Sequence, residues 1–459
     1  MGFDMMKVCK FGGTSLASAQ QLEKVANIIR TDSSRKIIVV SAPGKRYDSD
    51  TKVTDLLITL SAAALSGEDI EKPLTNVLNR YKQIADDLNL GDSIMATIEQ
   101  DFIERLSFDK SDPILFSDRL KAGGEDNSAK VLAAYLNDLG MSSEYIDPRE
   151  AGLLLADFPE RARVLPQSYG HLASLRQKEL ICVFPGFFGF TETGTLRTFE
   201  RGGSDITGSI IAAAVKADLY ENFTDVDCVF AANPKIVESP IEIQQMTYRE
   251  MRELSYAGFS VFHDEALMPA FKESIPVCIK NTNNPNAPGT MIVAERSHSK
   301  NPVTGISAAD GFSTLYVSKY LMNREIGFGR KLLQILEDEE ISYEHIPSGI
   351  DNLSVILRNH QLAADKEERI INRVKNELEA DDVHIRGGFS MVVLVGEGMN
   401  HTVGLAARAT DAIARTGANI EMINQGSSEV SLVFGVLKHD EEKILKELYK
   451  EFFSPAYIH

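Results

Sequence analysis

Lys10-Phe11-Gly12-Gly13-Thr14-Ser15 sets a cation, two glycines and two hydroxyls between an apolar stretch, Met6–Cys9, and a helical pattern that starts near Ala17. A strand, a tight glycine turn and a helix N-terminus make a site for anionic oxygen, because successive N–H groups converge and the helix dipole adds partial positive charge. Glycine lets the backbone approach an anion closely, and lysine supplies a compact full charge. In a Walker A loop the lysine follows the glycines; here it precedes them, so the run points to phosphate chemistry of another lineage. A structural turn with a solvated lysine also accounts for the run taken alone.

At 459 residues the chain is too long for one ordinary core, and two or three domains are expected. Its 43% hydrophobic and 25% charged residues are ordinary for a soluble globular protein. The net charge of −18, from 48 basic and 66 acidic residues, argues against nucleic-acid binding driven by phosphate neutralisation. An anionic ligand must then be drawn by a local positive field, which gives weight to cations in glycine turns. The four cysteines, Cys9, Cys182, Cys228 and Cys278, form no CxxC pair or zinc spacing and read as free thiols in a reducing cytoplasm. No apolar run reaches spanning length, no signal-peptide pattern opens the chain, and no membrane association is expected.

Over about the first 295 residues short apolar strands alternate with amphipathic helices, the α/β pattern of a mostly parallel sheet covered on both faces. Strands are predicted at Lys36–Val40, Ser143–Ile146, Leu180–Phe184, Leu219–Asn222 and Val277–Ile279, and helices at Ala19–Ile29, Asp55–Leu65, Asp126–Leu139 and Ile206–Val215. A polar helical region covers 70–108, Asn281–Gly289 reads as a loop, and Ala294–Asn301 reads as a linker. Beyond it the chain repeats: a shift of 77 residues brings Gly327 onto Gly404, Ile346 onto Ile423, Gly349 onto Gly426 and Ser354 onto Ser431. Each unit reads as a small split βαβ sandwich, a βαββαβ module, and two copies suggest a pair rather than a solenoid.

Further runs carry chemistry. Arg201-Gly202-Gly203-Ser204-Asp205 precedes a helix and is a second glycine site, with an arginine suited to bidentate carboxylate binding. Helix capping by Ser204 or Asp205 explains neither the arginine nor the paired glycines. Val39-Val40-Ser41-Ala42-Pro43-Gly44 ends a strand in a small hydroxyl, where open α/β sheets bind ligands. Gly124-Glu125-Asp126-Asn127-Ser128 sets a carboxylate at a helix start, either as a dipole-stabilised surface Glu or as the partner of a ligand ammonium. Thr224-Asp225-Val226-Asp227 follows a strand and offers carboxylates to ribose or adenine, and Asn233-Pro234-Lys235 adds a cation.

Taken together these runs, with GFFG at 186–189 and the doubled C-terminal module, resemble the aspartate kinases of the amino-acid kinase family, spread in order over the whole length. The resemblance implies a three-layer αβα kinase domain at 1–295, a linker and strand at 296–312, and ferredoxin-like ACT modules at 313–385 and 386–459. The first module is implied to be inserted in the second, with Val303–Ala308 supplying a strand to the latter. It implies ATP with Mg²⁺ held mainly by the phosphates, L-aspartate as acceptor, and a homodimer or dimer of dimers joined through the ACT modules. By resemblance Lys10, Gly12 and Gly13 hold the transferring phosphoryl group, and Asp205 organises the catalytic Lys10. Ser41, Thr54, Glu125, Phe187, Arg201 and Ser204 line the aspartate pocket, with Arg201 on the α-carboxylate and Glu125 near the α-ammonium. Ser15, Thr224, Asp225, Phe230 and Lys235 match nucleotide contacts. An effector site is expected near Met322, Glu325, Gly327, Phe328, Ile350 and Asp351, and the two carboxylates favour lysine over threonine as the feedback amino acid.

The chain departs from the family pattern at three places. Glu200 replaces a glycine before the arginine, Cys228 replaces a frequent glycine, and Ser260 stands where a lysine is usual, so it cannot supply that charge to a nucleotide phosphate. His263 reads as a packed structural residue. A kinase of glutamate or an N-acylated relative, and a catalytically silent amino-acid sensor, are the competing readings. Retention of Lys10, Arg201 and Asp205 opposes the sensor.

Overall fold

The computed structural model describes residues 5–156, 163–200, 202–259, 266–297, 301–426 and 430–454, apart from the His401 side chain. Arg201, Ser260 and His263 lie outside the described residues. The described residues form two compact units. The first draws on Met1–Val229, Glu242–Met251 and Val261–Arg296; the second on Phe230–Ile241, Arg252–Ser260 and Ser297–His459. Two segments from within 1–295 therefore pack with the second unit. There Ile306 donates its N–H to Ala231 O, Ser307 bonds Ala257 O, and Ile241 donates to the Tyr449 hydroxyl.

The first unit is built on an eight-stranded sheet. Its strands are β1 (Lys7–Phe11), β2 (Arg35–Val40), β3 (Ser143–Tyr145), β4 (Ile181–Pro185), β5 (Leu219–Thr224), β6 (Gln245–Thr247), β7 (Val277–Asn281) and β8 (Thr290–Val293). The order is β6-β8-β7-β5-β1-β2-β4-β3, and only the β7–β8 pairing is antiparallel. Side-chain alternation assigns two faces to the central strands. Cys9, Phe11, Ile38 and Val40 join one core with α1 (Ala19–Arg30), α2 (Val53–Ser66), α3 (Glu71–Asp87), α4 (Asp92–Leu106) and α5 (Pro113–Asp138). Val8, Ile37 and Val39 are buried on the other face, and α6 (Gly203–Ala214) packs against β1, β2 and β5. Helices thus cover both faces of a mostly parallel sheet, as the alternation of strands and helices predicts.

One helix differs from expectation. The helix read as beginning at Asp126 starts at Pro113, N-capped by the Asp112 carboxylate on the N–H groups of Ile114 and Leu115. Gly123 and Gly124 sit inside it, where there is no room for a side chain. A Cβ on Gly123 would lie 2.8 Å from the Phe102 ring, and one on Gly124 would lie 2.8 Å from Ala42 Cβ. Glu125 is consequently neither at a helix start nor on the surface.

The second unit holds a five-stranded antiparallel sheet of β9 (Gly305–Ser318), β10 (Asn352–Arg358), β11 (Asp382–Val395), β12 (Met422–Gln425) and β13 (Ser431–Leu437), ordered β10-β9-β11-β13-β12. The two long strands, β9 and β11, pair from Gly305↔Val395 to Ser318↔Asp382. One half of this ribbon carries β10 with helices α7 (Phe328–Asp338) and α8 (Ala364–Glu377); the other carries β12 and β13 with α9 (Leu405–Arg415) and α10 (Glu441–Phe453). The repeat seen in the sequence is physical: Gly327 and Gly404 are the N-caps of α7 and α9, with φ of 83° and 84°. Left-handed backbone there selects glycine. No helix among the described residues is long and apolar enough to cross a membrane.

Candidate active site

Four parallel strands end at one edge of the first sheet, with Phe11 opposite Val40 and Phe223, and Val40 opposite Pro185. A singled-out motif follows each end: Gly12–Ser15 after β1, Ser41–Gly44 after β2, Gly186–Gly189 after β4, Thr224–Asp227 after β5. This carboxyl edge is where open α/β sheets take ligands.

Lys10 shares its strand face with Val8, so its side chain turns toward α6. Its Nζ lies 2.7 Å from Oδ1 of Asp205, in the first turn of that helix, and the Asn222 amide donates to the same oxygen at 2.6 Å. Lys10 is buried. Gly202, at φ 75°, is the N-cap of α6 and brings no side-chain acceptor, so neither Ser204 nor Asp205 caps the helix and its N-terminus is opened by glycine. The turns press together closely enough to exclude side chains. A Cβ on Gly44 would lie 2.6 Å from the Gly13 carbonyl carbon, and one on Gly203 2.7 Å from the Phe187 ring. Gly44 N–H also bonds Gly13 O at 2.7 Å. Phe187 takes φ 78°, its N–H on the Thr207 hydroxyl.

Glu125 extends from mid-helix into the same cleft. Burial pushes its carboxyl up to about 8, against the opposing pull of the Ala42 backbone N–H and the Lys10 charge. Its Oε2 is buried without a hydrogen-bond partner. Its neighbours turn elsewhere: Asp126 accepts from Arg105 at 2.7 Å, and the Asn127 amide donates to Asp101. Of the two readings of this carboxylate, the surface one fails, since Glu125 is 7% exposed. An unpaired buried carboxyl oxygen calls for a donor.

Lys10, Gly13, Ser41, Thr54, Glu125, Phe187, Ser204 and Asp205 line one cleft of about 750 Å³. Other expected residues stand apart from its walls. Gly12 lies behind Gly13 with its N–H on Phe223 O. Ser15 is buried with its hydroxyl 2.7 Å from that of Thr282. Thr224 bonds the exposed Asp225 through its side chain. Phe230 and Lys235 belong to a segment of the second unit. The cleft also contains cations the sequence reading passed over. Lys52 is exposed and forms no ion pair with the described residues, whereas Lys121 pairs with Asp118 at 2.8 Å. Lys121 stands one turn before Glu125 on α5, a spacing that marks it in retrospect. Glu200 lines the cleft as well.

In the second unit Met322 and Phe328 are buried, Ile350 is exposed, and Asp351 accepts from the Leu321 N–H at 2.9 Å. Glu325 is already held by Lys319 at 2.7 Å and Lys331 at 2.9 Å. Of the two carboxylates expected to meet an effector ammonium, one is thus neutralised from within.

A cleft with a carboxylate-held lysine, two apposed glycine turns, a helix N-terminus and a buried unpaired carboxyl oxygen suits a zwitterion placed beside anionic oxygen. Comparison with known proteins agrees. Residues 5–281 match the amino acid kinase family and residues 392–452 match an ACT domain. The chain belongs to the amino acid kinase family. Within it the chain falls among the aspartate kinases: it is 53% identical to aspartokinase 3 of Bacillus subtilis (strain 168) over 453 residues, which are 99% of this chain and 100% of that one. Its fold matches the crystal structure of Clostridium acetobutylicum aspartate kinase with a TM-score of 0.87 at 38% identity, over 97% of this chain and 100% of that one. Escherichia coli aspartokinase III shares the fold at TM-score 0.78 and 22% identity in its complex with aspartate and ADP, and at 0.76 and 23% in its complex with lysine and aspartate. Each of these covers 98% of this chain and 100% of the other.

Proposed function

We propose that the chain transfers the γ-phosphoryl group of ATP to the β-carboxylate of L-aspartate, giving 4-phospho-L-aspartate and ADP, at the head of lysine, threonine and methionine biosynthesis. The observation that carries this reading is the presence, in one cleft, of the Lys10–Asp205 pair and the unpaired carboxyl oxygen of Glu125. The aspartate and ADP held by E. coli aspartokinase III support it. A side-chain carboxylate with a reference pKa near 3.9 is ionised at neutral pH, so the nucleophile needs no general base. It needs alignment and relief of repulsion between two anions, the terms that dominate phosphoryl transfer.

In this reading Lys10, oriented by Asp205 and Asn222, neutralises charge on the transferring group, and the Gly12–Gly13 turn lets phosphate oxygens approach the backbone. Glu125 takes the α-ammonium, Arg201 the α-carboxylate, and Ser41, Thr54, Phe187 and Ser204 shape the pocket. Thr224, Asp225, Phe230 and Lys235 contact the nucleotide. Glu125 and Asp205 already engage a backbone amide and a lysine, so Mg²⁺ would ride on the nucleotide's phosphates, where it neutralises charge.

The ACT pair would sense an end product at Met322, Gly327, Phe328, Ile350 and Asp351, with Glu325 presenting its lysine partners rather than a bare charge. Lysine is the assigned effector, supported by the lysine complex of E. coli aspartokinase III. The enzyme would work in the cytoplasm as a homodimer or dimer of dimers through the ACT modules, with the kinase part at 1–295. ADP release is the test. Aspartate-dependent release that glutamate does not support, inhibited by lysine and not by threonine, is the expected result. Release with glutamate instead would overturn the substrate, and inhibition by threonine alone would overturn the effector.

A further inference from the structure

The segment from Gly44 to Lys52 joins two walls of the cleft, Ser41–Gly44 and the first turn of α2 with Thr54, yet its polar sequence carries almost no apolar anchor. One buried side chain holds it. Arg80, in the middle of α3, is buried, and its guanidinium spreads over four acceptors. Nη1 donates to Asp50 Oδ2 at 2.7 Å and to Thr51 O at 3.0 Å; Nη2 donates to Gly44 O at 2.8 Å and to Ala17 O at 3.4 Å. The Asp50 carboxylate is also held through both oxygens by Arg46, whose Nη1 bonds Gln83 on α3.

We infer that Arg80, acting with Asp50, is a positioning residue for the phosphoryl-transfer site. Through Gly44 O and Ala17 O it ties the loop after β2 to the glycine turn after β1, at the contact where Gly44 N–H meets Gly13 O. Through Asp50 and Thr51 it sets where Lys52 and Thr54 enter the cleft. A planar guanidinium can reach acceptors on three separate segments at once; a lysine ammonium can keep the Asp50 charge but not that fan of carbonyls. Misplacing reacting groups by about 1 Å costs on the order of 10²-fold in rate, so the clamp acts on catalysis without touching substrate.

This inference rests on the cleft being the aspartate and ATP site. The test compares full-length wild type with Arg80→Lys, Arg80→Gln and Asp50→Asn by steady-state ADP release, with unfolding midpoints and circular dichroism measured on the same samples. Expected is a loss of kcat/KM for aspartate of about 10- to 100-fold in Arg80→Gln. KM for aspartate should rise more than KM for ATP, and Arg80→Lys and Asp50→Asn should fall between. Folded Arg80→Gln enzyme within twofold of wild type would overturn the clamp. So would equal rises in both KM values that track a lowered unfolding midpoint, since these mark a purely structural role. If Arg80→Gln does not fold, the same criteria are read on Asp50→Asn. Wild type that shows no aspartate-dependent turnover would instead refute the assignment of the cleft.

Discussion

Replacing Glu125 by Gln tests the cleft most sharply, because burial holds this carboxyl in an unusual state. Burial sets it at about 8 against an ordinary 4.5. At pH 7 roughly nine in ten empty sites therefore carry the proton. An ammonium delivered to the unpaired Oε2 favours the ionised form, so binding should expel close to one proton, about 0.9 at pH 7. Aspartate affinity should then rise about tenfold per pH unit between roughly 5 and 7.5 and level off above about 8. Isothermal titration of aspartate in two buffers of unlike ionisation enthalpy reads the proton count directly. Glu125→Gln should lose the pH dependence and bind aspartate about 10- to 150-fold more weakly at pH 8, the worth of one charge-assisted hydrogen bond of about 1.5–3 kcal/mol. The same shift sets a stability trend. A group whose pKa is raised by folding stabilises the fold fully below about 4.5 and loses that contribution as pH rises through about 8. Heat of binding that is identical in the two buffers, or a variant with the wild-type pH profile, would refute the role given to this carboxyl.

Other consequences can be measured separately. Lys10→Ala should lower kcat by about 10²- to 10³-fold, as loss of one preorganised charge-stabilising donor does, while aspartate affinity from the same titration changes far less; near-normal turnover would defeat its role. Gly44→Ala should destabilise the first unit by about 1–3 kcal/mol, since its Cβ has only 2.6 Å to the Gly13 carbonyl carbon, and an unchanged urea midpoint would contradict that packing. Arg35→Met should cost about 3–5 kcal/mol, because it strands Glu221, buried and bonded to Arg35 at 2.7 Å, whereas Arg35→Met with Glu221→Leu should recover most of the loss. The Arg35 guanidinium holds Glu221 below the usual carboxylate range, so this contribution is present above about pH 4.5 and disappears on acidification; denaturant titrations at pH 7 and 4 check both points.

The fold and much of the cleft were legible from local chemistry. Glycine turns at strand ends and hydrophobic alternation follow from near neighbours in the chain, the repeat shows as likeness between stretches 77 residues apart, and Gly327 and Gly404 bear it out as matching helix caps. What escaped depends on partners far away in sequence. Glu125 reads as standing at a helix start, yet Gly123 and Gly124 before it lie inside one, where Phe102 and Ala42 leave no room for a side chain. The Ser15 hydroxyl lies 2.7 Å from that of Thr282, 267 positions on, a contact that no local pattern reveals. Glu325 looks free for a ligand until Lys319 and Lys331 fold over it. Arg80 sits in a polar helical stretch with no motif, and only the folded loop shows its four acceptors.

The crossed ribbon of β9 and β11 limits how the regulatory half can be dissected. Gly305–Asp310 supplies an edge strand to the C-terminal module, and Phe312–Ser318, directly continuous with it, supplies an inner strand to the other. A fragment cut near residue 386 would lack that strand and bare the edge of β11. Excising the intervening stretch and joining Asp310 to Ser390 through a short hairpin would instead leave a closed unit, because those two positions already lie side by side across the ribbon.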